Sequence, residues 1–101
     1  MAAALSNPQK RYLRGLAHDL KPVILVGAKG ITDSLVAETG LAIERHELIK
    51  VHVAAGDREL RDEWIGQLCE RTGAALVTRI GNMAVLYRRS QDNPLIVLPK
   101  A

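Results

Sequence analysis

The chain has 101 residues, 48% of them hydrophobic and 25% charged, with a formal net charge of +3. That length supports one domain with a real core but not two, and the composition is that of a globular protein. Aromatic residues make up only 3% and Phe is absent, so the core must come from Leu, Ile, Val and Ala, and a sheet that stacks bases on surface aromatics is disfavoured. A single cysteine, Cys69, excludes an internal disulfide and a Cys-based zinc knuckle, and suits a reducing cytosol. No apolar stretch reaches transmembrane length, and Met1-Ala2-Ala3-Ala4 lacks the charged start of a signal peptide. A cytoplasmic location without a membrane partner is expected.

The first element is a helix. Ser6 and Gln9 have capping-box spacing, and Pro8 falls in the tolerant first turn. Leu13, Leu16, Ala17 and Leu20 recur at helical spacing and predict one buried stripe. Lys10, Arg11 and Arg14 lie beside that stripe, Lys21 extends the same edge, and Pro22 is expected to stop the helix. Val23-Ile24-Leu25-Val26 shows no polar alternation, which predicts a strand covered on both faces in a parallel sheet. Thr32 then caps a helix running to about His46, and Leu48 to Val53 alternates as a strand with Lys50 and His52 on one face. Asp57 caps a third helix with Leu60, Trp64, Ile65, Leu68 and Cys69 inward, and Gly73 ends it. Leu76 to Ile80 and Met83 to Arg88 are joined by the hairpin signal Gly81-Asn82. Residues 1–5 and 90–101 are peripheral to a single domain spanning 1–101, with Leu95 to Leu98 an extended tail packed on the body.

The predicted order is α-β-α-β-α-β-β, an α/β fold with a mixed four-stranded sheet. Two crossovers predict parallel pairs and the hairpin an antiparallel one, while the strand order stays open. Gly27-Ala28-Lys29-Gly30, between the first strand and second helix, is a tight open loop presenting backbone N–H groups and a cation to an anion. A glycine-bracketed loop that clamps a sugar-phosphate backbone is an RNA-binding device, although the same spacing also occurs in plain turns.

Catalytic arrangements are lacking. Cys69 shares helical spacing with Ile65 and Leu68, as a structural thiol would. His18, His46 and His52 have no ligand spacing, and Lys29 is followed by Gly30 where a Walker A sequence needs Ser or Thr. No enzyme activity, metal or cofactor is expected.

Four motifs carry a resemblance. Gly15-Leu16-Ala17-His18 through Lys21-Pro22-Val23, the Gly27 to Gly30 loop, Glu47-Leu48-Ile49-Lys50-Val51, and Ile80-Gly81-Asn82 through Leu86-Tyr87-Arg88 are together similar to the CRM domain, for chloroplast RNA splicing and ribosome maturation, in its single-domain bacterial YhbY-type form. The resemblance implies a fold similar to the C-terminal domain of translation initiation factor three. It also implies RNA binding through the loop and the neighbouring basic surface, in association with precursor large-subunit ribosomal RNA. The loop role falls on Gly27, Ala28, Lys29 and Gly30; the charge of Lys10, Arg11, Arg14 and Lys21 extends the track. The alternatives are a protein–protein adaptor using the third helix or the tail, and a general RNA chaperone.

Overall fold

The computed structural model describes residues 5–100, so the Met1 to Ala4 start lies outside the described residues. In chain order the elements are α1 (Asn7–Ala17), β1 (Pro22–Val26), α2 (Asp33–His46), β2 (Leu48–Val53), α3 (Arg58–Thr72), β3 (Ala75–Ile80) and β4 (Met83–Tyr87). The predicted α-β-α-β-α-β-β order and mixed four-stranded sheet are both present. Each helix starts where its cap was expected. Ser6 and Gln9 form a reciprocal capping box, Thr32 Oγ1 accepts from the Leu35 N–H at 3.1 Å, and the Asp57 carboxylate accepts from the Leu60 N–H at 3.3 Å. Gly73 ends α3 in the left-handed region, with φ of 75°.

The sheet order is β1-β2-β4-β3. β1 and β2 pair in parallel, while β4 inserts antiparallel between β2 and β3. This corrects the expectation of two parallel pairs: the second crossover skips a place, which the returning hairpin strand fills. Ala84, Val85, Leu86 and Tyr87 are all buried, as a central strand requires. β1 is an edge strand. Its Ile24 and Val26 are buried, but Val23 is 50% and Leu25 62% exposed, so the expected cover on both faces is absent.

Alternation along the strands builds two cores, one on each face. Against α2 and α3 pack Ile24, Val26, Ile49, Val51, Val53, Ala84 and Leu86. On the opposite face Leu13 and Ala17 of α1 meet Leu48, Val77, Val85 and Tyr87, with Leu5, Ile96 and Leu98 packed at the margin. The buried stripe of α1 is therefore narrower than its sequence suggests, since Leu16 and Leu20 are about two-fifths exposed. The helix also stops at Ala17, well before Pro22, in a turn closed by the Leu20 N–H on the Ala17 carbonyl at 3.0 Å. Gly15, His18 and Asp19 are weak helix formers, and the chain must reverse there to enter β1. Lys21 accordingly leaves the helix edge and stands at the mouth of β1.

The tail after β4 is held by one side chain. Glu47, fully buried, accepts from the Ser90, Leu95 and Ile96 N–H groups at 2.6, 2.6 and 2.7 Å. Its φ of 63° and ψ of −44° lie near the strained γ-turn with positive φ, an unusual conformation for a residue with a Cβ. Arg88 ties the last turn of α3 and the middle of α2 to the sheet, donating to the Thr72 carbonyl at 2.6 Å and the Gly40 carbonyl at 3.3 Å.

Candidate nucleic-acid interface

Gly27 to Gly30 forms a turn at the C-terminal end of β1, closed by the Gly30 N–H on the Gly27 carbonyl at 3.0 Å. Gly27, Ala28 and Lys29 are exposed, while Gly30 is buried. The two glycines differ in what they do. Gly30 has φ of 73°, and a Cβ placed there would stand 3.0 Å from ring carbons of Trp64. Gly27 lacks a positive φ, and a Cβ there would meet open space. Trp64, read from the sequence simply as core, packs on the α2–α3 core with its indole directly against Gly30, so that the floor of the turn comes from α3. Gly30→Ala should therefore cost about 1–3 kcal/mol by chemical denaturation. Gly27→Ala should stay within about 0.5 kcal/mol of the parent.

The N-terminus of α2 contributes less to an anion site than the sequence suggests. Asp33 places a carboxylate in its first turn, where it pairs with Arg71, and its side chain is 96% exposed. A negative charge there favours the helix dipole but opposes a docking anion. The positive charge of the turn thus comes from Lys29.

Lys10, Arg11 and Arg14 are exposed on α1, on the sheet face opposite α2. Lys21 is exposed at the start of β1, separated from the turn by the length of that strand, about 17 Å at ~3.3 Å per residue. The fold gathers the four loop residues into one turn but distributes the basic residues over α1 and the far end of β1. None of Lys10, Arg11, Arg14, Lys21 and Lys29 forms an ion pair among the described residues, whereas Arg71, Arg79 and Arg88 do.

Burial pushes the Cys69 thiol up to about 11, so it stays protonated against the core. Among the described residues no cluster of three His, Cys, Asp or Glu could hold a metal ion, and no helix is long and apolar enough to cross a membrane.

A small mixed α/β domain with an exposed glycine-bracketed turn and unpaired surface cations is, as a class, suited to meet a polyanion. The family profile of the CRS1 / YhbY (CRM) domain matches residues 5–88, and the chain belongs to that family. A Haemophilus influenzae protein named RNA-binding protein is 47% identical over 88 residues, covering 87% of this chain and 89% of the relative. A Bacillus subtilis protein named Probable RNA-binding protein is 39% identical, with 94% of this chain and 99% of the relative covered. The fold is also similar to the solution structure of a hypothetical protein from Staphylococcus aureus. The TM-score is 0.82 at 41% identity, covering 95% of this chain and all of the other.

Proposed function

We propose that the chain is an RNA-binding protein of ribosome assembly that engages precursor large-subunit ribosomal RNA. The observation that carries this reading is the exposed Gly27 to Gly30 turn, braced by Trp64 and charged by Lys29. Family membership and the relatives named for RNA binding support the choice of polyanion. The mechanism is a backbone clamp. The Ala28 and Lys29 N–H groups and the Lys29 ammonium take phosphates, the Gly30 N–H being held by the Gly27 carbonyl, and Lys10, Arg11, Arg14 and Lys21 hold the strand electrostatically. No group on the protein performs chemistry on the RNA, and the site acts in the cytoplasm without a cofactor.

Crosslinking the protein to RNA in cells and sequencing the attached fragments tests the reading. Enrichment of large-subunit precursor RNA is expected. Dispersed transcripts would point to a general chaperone, and absence of RNA to a protein–protein adaptor.

Five phosphate-contacting cations predict a slope of log affinity on log salt near −0.7 each for single-stranded RNA, about −3.5 in all. Lys10→Glu with Arg14→Glu should flatten that slope by about 1.4 and weaken binding at least tenfold, about 1.4 kcal/mol. Both side chains are exposed, so the melting temperature should not change. Unaltered binding in a titration would remove α1 from the interface.

A further inference from the structure

Between the end of α1, strands β1 and β2, and Ile96 of the tail lies an open groove of about 420 Å³. Leu16, Leu20 and Val23 supply apolar wall, Lys21 and Lys50 supply charge, and no carboxylate lines it. Leu25 follows Val23 by two residues and therefore faces the same side, where it is 62% exposed and pairs across the ladder with His52. An apolar strip thus runs along the edge strand from Lys21 to Gly27, on the face that α1 leaves uncovered. A contiguous strip of exposed aliphatic side chains marks a surface that gains from being covered.

We infer that this strip seats the bases of single-stranded RNA, with phosphates held at the Gly27 to Gly30 turn and Lys21, while Lys50 adds positive charge to the groove floor. The inference rests on RNA being the partner, and it adds where the bases go. A strand running from the turn to Lys21 must pass Val23 and Leu25, because those side chains lie between the two cationic ends. Bases offer flat, weakly polar faces that aliphatic side chains can cover without aromatic stacking. The charge of the groove favours a polyanion over an apolar protein segment, which would gain nothing from Lys21 and Lys50.

The test compares a uridine oligonucleotide with an abasic phosphodiester strand of the same length. Wild-type protein should prefer the base-bearing strand by about tenfold. Val23→Thr with Leu25→Thr keeps strand-forming residues at exposed positions, and should lose most of that preference while binding the abasic strand as before. Leu25→Thr alone, at the more exposed position, should lose a smaller part of it. A double variant that binds the uridine strand like wild type overturns the assignment, and an apolar protein segment as the true occupant gives that result. The Ala28→Asp, Lys29→Asp protein separates the two levels. If it loses both strands while the Val23 and Leu25 variants are unaffected, only the groove assignment fails. If it too binds both as wild type, the RNA clamp fails with it.

Discussion

Glu47→Ala is expected to lower folding stability by about 3 kcal/mol and the melting temperature by on the order of 15 °C. The carboxylate is fully buried and gathers three backbone N–H groups from the tail. Removing it leaves the Ser90, Leu95 and Ile96 donors without an acceptor; the Ser90 donor is buried and the other two are partly so, and a buried donor left unpaired costs about 1–3 kcal/mol. The tail can limit that loss by peeling into water, but it then uncovers the core under Ile96 and Leu98. Alanine also keeps the strain of a Cβ at φ of 63°. Glu47→Gly should therefore recover about 1 kcal/mol relative to Glu47→Ala. Glu47→Gln should fail to rescue, because both carboxylate oxygens accept and an amide NH₂ would face a backbone donor. Urea denaturation measures these differences, and limited proteolysis near Asn93 reports release of the tail. An Ala variant that melts with wild type would show that the tail does not depend on this contact.

The same clamp sets an acid limit. Burial alone would raise the Glu47 carboxyl, but the Ser90, Ile96 and Leu95 N–H groups and the charge of Arg89 outweigh it and hold the group below its usual 4.5. A carboxylate lowered in the folded state binds fewer protons folded than unfolded. Its stabilisation is full above about pH 4.5 and fades as pH falls through the lowered value. The stability gap between wild type and Glu47→Ala should shrink in that acid window and stay constant at neutral pH.

Most of the fold could be read because its punctuation is local. Ser6, Thr32, Asp57, Gly73 and Gly81-Asn82 act within a few residues, and the structure places element ends at all of them. The strand order could not be read so. Val23 to Val26 and Ala84 to Tyr87 are both uninterrupted apolar runs, yet the first is an edge and the second is central. Both runs are apolar throughout; what differs is which neighbours the hairpin brings, a long-range matter. The candidate site divides in the same way. The turn was visible as Gly27 to Gly30, but its floor was not, because Trp64 reaches it from α3. Similarly, nothing in the run Glu47-Leu48-Ile49 marks the glutamate as the anchor of residues more than 40 positions away. Lys21 moved from a helix edge to the mouth of a groove because α1 ends at Ala17, and no strong stop signal stands there.

The most direct test of the central claim is an RNA-binding titration of the Ala28→Asp, Lys29→Asp protein, with circular dichroism on the same samples. Both side chains are exposed on the turn, and Gly27 and Gly30 are kept, so the backbone can still close over Trp64. Stability should shift by no more than about 0.5 kcal/mol. Binding to single-stranded RNA should fall by at least a hundredfold, about 2.8 kcal/mol, because two carboxylates would stand where phosphates approach and the turn's own cation is gone. Lys29→Ala should lose less and flatten the salt slope by roughly 0.7. A double-aspartate protein with a wild-type melting curve and wild-type RNA affinity would contradict the clamp.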